Sequence, residues 1–393
     1  MSLMGIDVGT TNMKCIIIAH SGQLLNLVVR PSALYTLAPG GKKYIDGERL
    51  FNAVVRMCEE TWGGAGNEKL RGISITSVGC APVILNKYNV QLDATTSNRV
   101  IEPMPELSNE EYRDICGYSK DYGCGMHSIL PFISGVTEPL AVMSVGDYLN
   151  CRFTGIKRRD RSTAGSVTLL DRRTGENWYN FLYEHRINYE SLPPLCNSGD
   201  YIGDLINPQN TALPEGTPVF AGGHDYLCAA FAAGCYEEDS MINVLGTYEM
   251  LASFYKKQQN APEAADFVTF MDWHVFPMRY TVTAEMPATG TKAAQVRKSA
   301  KMFAYQEDFV DKISTVKIKV VGGGSKNKVL VQSKAFINGL RLYVPQIPEA
   351  TATGAALIAG VGSGVYNSFE KAARVYRNVD TVVFYPEFKK MKE

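Results

Sequence analysis

The chain has 393 residues, of which 45% are apolar and 20% are charged. This length allows about two domains, and the composition is that of an ordinary globular protein. The 40 basic and 40 acidic residues balance, so no excess charge favours nucleic acid or an acidic membrane surface as a partner. The apolar runs, such as residues 15–19, are too short to span a bilayer.

The nine cysteines stand singly, without CxxC spacing, and the five histidines form no HExxH or HxH pattern. The odd number and the spacing argue against a disulfide framework and against a structural zinc site. Scattered thiols are typical of a reducing compartment. The N-terminus shows no basic stretch followed by an apolar segment, so no secretory signal is expected. Together these features predict a cytoplasmic protein.

The predicted elements begin with an antiparallel meander. Three strand-like runs are separated by Gly9-Thr10-Thr11 and by Ser21-Gly22, both of which are typical turn sequences. A helix is expected from the Asp46-Gly47 cap to Trp62, because its apolar residues recur at helical spacing. The strands predicted in this region are residues 3–8, 13–19, 23–29, 71–76 and 81–86.

Further helices and strands are predicted along the rest of the chain. Ser108 and Glu111 form a capping box that opens a helix. A short strand over 218–221 leads into Gly222-Gly223-His224-Asp225, and a helix over 226–233 follows. The meander recurs after residue 240, so the sequence predicts a mixed α/β protein with a duplicated domain rather than an alternating parallel fold. The other predicted elements are helices at 144–152, through 336 and at 353–364, and strands at 241–245, 250–255, 267–273, 279–284 and 316–321.

Two short segments share one pattern, in which an apolar run is followed by Gly-Thr, a polar residue and a second apolar run. The first spans Gly5 to Lys14, and the second spans Ile242 to Met250. Each is expected to form a β-hairpin whose turn offers backbone N–H groups and a threonine hydroxyl to an anion. Two such hairpins facing each other would hold the phosphates of a nucleotide between two related domains.

Two carboxylates stand beside predicted turns. Asp7 precedes the first Gly-Thr turn and could hold Mg²⁺, or it could cap the turn by accepting nearby N–H groups. Asp225 follows two glycines and opens a helix, so it could be the helix N-cap, or a general base that takes a proton from a substrate hydroxyl. His224 is interpreted as structural. The residues alone leave both pairs of alternatives open.

Residues 322–327 follow a predicted strand and open a helix, which directs backbone N–H groups at a ligand. The segment has neither a Walker A loop nor a GxGxxG pattern. Taken in order, Asp7 with its Gly-Thr turn, Gly222 to Asp225, Gly246-Thr247 and residues 322–327 resemble the motifs of the FGGY carbohydrate kinases. The segment 345–356 resembles the C-terminal signature of that family, and Asp147-Tyr148-Leu149 resembles another of its motifs.

The resemblance implies an α/β fold of two ribonuclease-H-like domains, as in actin-like ATPases, with a nucleotide cleft between them. It implies an N-terminal domain over 1–236, with the sugar site and a phosphate loop, and a C-terminal nucleotide-binding domain over 237–393. The implied activity is the ATP-dependent phosphorylation of a sugar or polyol hydroxyl with Mg²⁺, and homodimers are common in such proteins. The roles implied are metal binding by Asp7, proton abstraction by Asp225, sugar contacts by Asp225, Tyr226 and Arg99, and nucleotide contacts by Thr10, Thr11, Asn12, Lys14, Gly246, Thr247, Gly290, Gly323 and Asn327.

The chain also departs from the family. It is shorter than usual, and the W-x-D-x-R motif expected on the sugar side is missing, with Arg99 as its only counterpart. Tyr226 stands where the family usually has a shorter polar residue. These departures leave a second hypothesis open, a binding or regulatory protein that keeps the kinase fold without turnover. A chaperone-type ATPase fits less well, because the Gly-Gly-His-Asp segment and the C-terminal signature argue against it.

Overall fold

The computed structural model describes residues 1–37, 41, 43–66, 69–92, 107–119, 126–167, 169–206, 211–310 and 312–387. In chain order the strands are β1 (Ser2–Val8), β2 (Asn12–Ala19), β3 (Leu24–Pro31), β4 (Thr36–Leu37), β5 (Lys43–Tyr44), β6 (Leu70–Ser77), β7 (Pro82–Leu85), β8 (Ala141–Ser144), β9 (Arg159–Asp160), β10 (Leu170–Asp171), β11 (Glu176–Asn177), β12 (Leu195–Cys196), β13 (Tyr201–Asp204), β14 (Pro218–His224), β15 (Ser240–Leu245), β16 (Tyr248–Tyr255), β17 (Val268–Phe270), β18 (Tyr280–Pro287), β19 (Lys317–Val321), β20 (Leu342–Pro345) and β21 (Thr381–Phe384). The helices are α1 (Gly47–Gly63), α2 (Asn109–Cys116), α3 (Met126–Ile133), α4 (Val145–Thr154), α5 (Arg161–Ser166), α6 (Tyr179–Glu184), α7 (Asp225–Ala232), α8 (Lys292–Glu307), α9 (Lys328–Asn338), α10 (Ala350–Gly362) and α11 (Phe369–Ala373).

Two mixed sheets organise the chain. The first has the strand order β13-β14-β6-β1-β2-β3, and the second has the order β17-β18-β16-β15-β19-β20-β21. In each sheet a central strand pairs antiparallel with the next strand in sequence and parallel with a later one, as β1 does with β2 and β6, and β15 with β16 and β19. The predicted duplication of a mixed α/β unit is therefore present.

Apolar side chains of the first sheet are buried on both faces. Met4, Ile6 and Val8 of β1 pack in a cluster that includes the apolar face of α1. On the opposite face, Leu3, Ile16 and Ile18 join a cluster formed with α7 and α10. Because helices cover both faces, β1 and β6 read as nearly continuous buried strands.

Helix α10 lies in sequence between β20 and β21 of the second sheet, yet it packs against β1, β6 and α7 of the first half. Its contact with β1 is so close that a Cβ on Gly5 would lie 1.9 Å from the carbonyl oxygen of Ala352. A Cβ on Gly354 would lie 1.9 Å from the carbonyl oxygen of Cys228 in α7. Glycine is therefore favoured at both positions, and the C-terminal signature forms one of the contacts between the two halves.

Most local predictions agree with the structure. Asp46 caps α1, and Ser108 and Glu111 form the capping box of α2. The helix predicted from residue 353 begins earlier, at Ala350, and the basic segment after Gly290 is the helix α8.

The sequence did not predict that Cys80 is disulfide-bonded, whereas the thiols found free among the described residues are those of Cys15, Cys58, Cys116, Cys151, Cys196, Cys228 and Cys235. Within the described ranges, none of the helices has the length and apolar character needed to cross a membrane.

Candidate active site

The two Gly-Thr turns lie against each other. Thr10 and Thr11 occupy the turn between β1 and β2, and Thr247 occupies the turn between β15 and β16. The Thr247 hydroxyl oxygen is 3.1 Å from that of Thr10 and 2.9 Å from that of Thr11. Both turns follow the carboxyl end of a strand that pairs in parallel, which is the edge where open α/β sheets bind ligands. The structure thus brings the two predicted phosphate loops to one place.

Asp7 and Lys14 face each other across the β1–β2 pair, at matching positions of its register. The Lys14 Nζ donates to Asp7 Oδ2 at 2.7 Å, and only 2% of Asp7 is exposed. Burial raises the pKa of Asp7 to about 6, although Lys14 partly offsets the shift; the charge of Asp225 acts in the same direction as burial. Asp7 and Asp225 therefore interact electrostatically at one site.

Asp225 is the first residue of α7 and follows β14 directly. Its side chain is 28% exposed, and its Oδ1 accepts a hydrogen bond from the backbone N–H of Tyr226 at 2.7 Å. Burial raises the pKa of Asp225 above its usual value, while His224 and Lys14 oppose the shift. A carboxylate with a raised pKa is a better proton acceptor near neutral pH.

The glycines before Asp225 allow this placement. A Cβ on Gly222 would lie 2.2 Å from the carbonyl oxygen of Ile75 in β6, and Gly223 has a φ of +91°. His224 follows, and its backbone N–H donates to Ser162 Oγ at 3.0 Å. Ser162 in turn donates to the buried carboxylate of Asp160 at 2.5 Å. A buried polar network therefore fixes the backbone that carries Asp225.

The His224 ring lies between two carboxylates. Its Nε2 is 3.6 Å from Asp225 Oδ1, and its Nδ1 is 3.6 Å from Asp272 Oδ2. Both distances exceed those of a hydrogen bond. Burial lowers the pKa of His224, but Asp272 and Asp225 outweigh that effect and raise it overall. His224 was predicted to be structural, and in the structure its ring also interacts electrostatically with Asp225.

Tyr226 lies in the contact between the two halves of the chain. It is 2% exposed, and its hydroxyl contacts Asp272 at 3.1 Å and the hydroxyls of Thr281 and Thr283 at 3.2 Å each. These contacts occupy the hydroxyl, so in this conformation Tyr226 joins the halves. Its contact with a sugar stays a prediction, and Arg99, the other predicted sugar contact, lies outside the described residues.

The remaining predicted nucleotide residues surround the second turn. Asn12 and Gly246 are exposed at the two hairpins. The segment after β18 reaches the turn through the Ala288 N–H, which donates to the Thr247 carbonyl at 3.0 Å, and Gly290 follows with a φ of +88°.

The glycine-rich loop after β19 also reaches the second hairpin. A Cβ on Gly322 would lie 2.6 Å from the carbonyl oxygen of Leu245, which places the loop directly against the end of β15. Among the described residues, and apart from the chain neighbours of Gly323, no atom lies within 4 Å of the corresponding position, so that glycine borders open space. Asn327 caps α9, with its side-chain oxygen accepting from the Leu330 N–H at 3.1 Å.

Sequence reasoning did not single out Glu349, which bridges parts of the site. Its carboxylate lies 3.8 Å from Lys14 Nζ and 3.3 Å from Lys326 Nζ. Its backbone has a φ of +35°, which is uncommon for a residue with a side chain and marks a constrained position. Its position within the C-terminal signature was the only sequence feature that could have identified Glu349. Its partners Lys14 and Lys326 are distant in sequence, so the pattern did not reveal these contacts.

The oxygen atoms at this site suit a magnesium nucleotide. Mg²⁺ is usually held by one or two carboxylates together with phosphate oxygens and water, rather than by a complete protein cage. Asp7 supplies such a carboxylate. Within the part of the chain described, no group of three or more His, Cys, Asp or Glu side chains could hold a metal ion.

Comparisons with known proteins identify the fold and show similarity to one family. A xylulose kinase from Rhodospirillum rubrum superposes with a TM-score of 0.82 at 18% identity, covering 99% of this chain and 95% of its own. The fold is thus that of the actin-like ATPases, as predicted from the sequence. The chain is 22% identical over 470 residues to an L-fuculokinase from Escherichia coli O157:H7, covering 98% of this chain and 97% of the relative.

A family model matches at the C-terminal end. Residues 290–363 match the C-terminal domain of the FGGY family of carbohydrate kinases. The chain is also 24% identical to the L-xylulose/3-keto-L-gulonate kinase of Escherichia coli K12 over 309 residues, which are 60% of this chain and 61% of that protein. The resemblance to the FGGY carbohydrate kinases noted in the motifs is therefore confirmed, with the family match lying in residues 290–363.

Proposed function

We propose that the protein is an ATP-dependent carbohydrate kinase that phosphorylates a hydroxyl group of a sugar or polyol. The observation that carries this proposal is the contact of Thr10 and Thr11 with Thr247, beside the carboxylates of Asp7 and Asp225. The similarity to the FGGY carbohydrate kinases supports the same reaction. Turns that offer hydroxyl and N–H groups to phosphate oxygens, together with a carboxylate that can accept a hydroxyl proton, suit phosphoryl transfer to an alcohol.

Each residue has a proposed role in that reaction. Asp225 accepts the proton of the substrate hydroxyl, and the threonine hydroxyls and backbone N–H groups of the turns donate to phosphate oxygens. Lys14, held by Asp7, supplies a positive charge at the same place. A magnesium ion bound near Asp7 would neutralise charge on the phosphates. Closure of the two halves excludes water, which otherwise competes with the sugar for the phosphoryl group.

Several finer assignments remain proposals. We propose a domain boundary between residues 236 and 237, so that each half holds one large sheet, with α10 packing back on the first. We also propose Mg²⁺ as the metal, a cytoplasmic location and a homodimer. The named relatives act on different sugars, so the substrate class is kept as ketoses, polyols and aldonates.

The test is ADP release with Mg-ATP across a library of ketoses, polyols and aldonates. The proposed function requires release that depends on one class of compound. Equal ADP release without any sugar would indicate a chaperone-type ATPase. Nucleotide binding without turnover on any compound would favour the kinase-fold binding protein instead.

A further inference from the structure

A buried ion pair lies beneath the second Gly-Thr turn. Lys334 of α9 is fully buried, and its Nζ donates to Glu249 Oε1 at 2.5 Å and to Ser299 Oγ at 2.5 Å. The Ser299 hydroxyl also donates to Glu249 Oε1, at 2.6 Å. Glu249 is 3% exposed and Ser299 is 0% exposed, so the three side chains form one closed polar cluster.

The cluster joins three elements that each carry a predicted nucleotide-binding segment. Glu249 follows Thr247 by two residues on β16. Ser299 lies on α8, which begins two residues after Gly290. Lys334 lies on α9, whose N-cap is Asn327. The three segments are far apart in sequence, and this cluster links the elements that carry them.

Asn243 extends the cluster to the other strand of the hairpin. Its Nδ2 donates to Glu249 Oε1 at 3.1 Å and to the Met250 carbonyl at 3.1 Å. Asn243 belongs to β15 and is fully buried. Both strands that hold the Thr247 turn are therefore tied to the same carboxylate.

Stability alone does not account for the ion pair. Removing two charges from water is costly, and an apolar pair of similar volume often gives equal or greater stability. Buried ionic groups can instead specify one arrangement of the elements around them. Here the elements are those that border the proposed nucleotide site, which points to a role in its geometry.

We propose that Glu249 and Lys334 are positioning residues, which fix the Thr247 turn, the Gly290 segment and the Gly323 loop relative to one another for ATP binding. This inference rests on the proposed function. The pair touches neither sugar nor phosphate, so its loss affects the nucleotide site and leaves the sugar site of the other half intact.

The test compares the wild type with the double variant Glu249→Leu/Lys334→Met, which replaces the ion pair with an apolar pair. We expect a melting temperature near that of the wild type, a dissociation constant for ATP raised at least 10-fold by calorimetry, and a KM for the sugar changed less than twofold. As a matched control, Asp266→Asn/Lys301→Gln removes an exposed ion pair of the same half, with a distance of 2.6 Å between its charged atoms, and should leave ATP affinity unchanged.

A folded double variant that binds ATP as tightly as the wild type would overturn the inference while leaving the proposed function standing. Failure of the wild type to bind ATP would remove both. Should the double variant not fold, Ser299→Ala deletes only one hydroxyl of the cluster. It must then weaken ATP binding without affecting the sugar KM, and unchanged ATP affinity in that variant contradicts the proposal.

Discussion

Asp225 is the residue on which turnover depends in the proposed reaction. Asp225→Asn keeps the size of the side chain and removes its ability to accept a proton, so we expect kcat to fall about 10²- to 10⁴-fold. The dissociation constant for ATP should change little, because the turns supply the phosphate contacts. Single-turnover ADP formation and calorimetry measure the two quantities.

The control for Asp225 is Asp239→Asn, which makes the same charge change at an exposed position. That variant should retain wild-type kcat. Wild-type turnover in Asp225→Asn would show that another group accepts the proton.

Asp147 provides a prediction on pH and stability. It is 4% exposed, and burial, together with the charge of Asp160, raises its pKa to about 7. A carboxyl whose folded pKa lies above its unfolded value stays protonated in the folded chain while the unfolded chain ionises. This group therefore stabilises the folded state less as the pH rises from about 4 to about 7.

Asp147→Asn removes that titration and keeps a neutral side chain of the same shape. Relative to the wild type, its free energy of unfolding should increase between pH 4 and pH 7 by up to about 4 kcal/mol, from 1.36 kcal/mol per pKa unit. Urea unfolding at a series of pH values measures the difference. Parallel curves for the two proteins would mean that Asp147 does not titrate in this range.

At the scale of elements, the tight contact between α10 and α7 gives the next prediction. A Cβ at position 354 would approach the backbone carbonyl of Cys228 to 1.9 Å, so the helices must separate to admit it. Overpacking of this kind costs about 1–3 kcal/mol and occasionally more. We expect Gly354→Ala to lower the free energy of unfolding by about 3 kcal/mol, measured by urea denaturation.

A glycine with free space serves as the control for this contact. Gly63 ends α1, and among the described residues no atom outside its chain neighbours and its own helix backbone lies within 4 Å of the position of an added Cβ. Gly63→Ala should be neutral or slightly stabilising, since alanine favours helix. Equal stability of the two alanine variants would show that α10 can shift at no cost.

The elements differ in how far the sequence predicts them. Local patterns were sufficient to predict the hairpins around Gly9 and Gly246 and the helix caps at Asp46 and Ser108. Each of these features depends only on residues close to it in sequence. The parallel pairing of β1 with β6 and the return of α10 depend on residues distant in sequence, which periodicity does not connect.

The same distinction applies to the site. Its motif residues, such as Asp7 and Asp225, could be chosen from sequence, because each stands beside a recognisable turn. Glu349 and Lys334 could not, because their significance comes from partners on other elements.

At the scale of the whole molecule, a buried carboxylate joins the two halves. Asp272 accepts hydrogen bonds from the Tyr118 hydroxyl at 2.8 and 2.9 Å and from the Tyr226 hydroxyl at 3.1 Å. Both tyrosines precede residue 237, and Asp272 follows it. The closed arrangement of the two Gly-Thr turns therefore coincides with hydrogen bonds from two phenols to one carboxylate.

The double variant Tyr118→Phe/Tyr226→Phe removes both phenol hydroxyls, so the Asp272 carboxylate loses the hydrogen bonds that they donate. Leaving a buried acceptor unsatisfied costs about 1–3 kcal/mol, so the closed state should lose about 5- to 150-fold in population relative to an open one. We expect a larger radius of gyration by small-angle scattering and a higher rate of ATP hydrolysis relative to sugar phosphorylation. Tyr183→Phe, at a side chain that is 77% exposed, should change neither quantity. If the double variant scatters like the wild type and keeps its coupling, closure must depend on the turns themselves, through Thr10, Thr11 and Thr247, rather than on this contact.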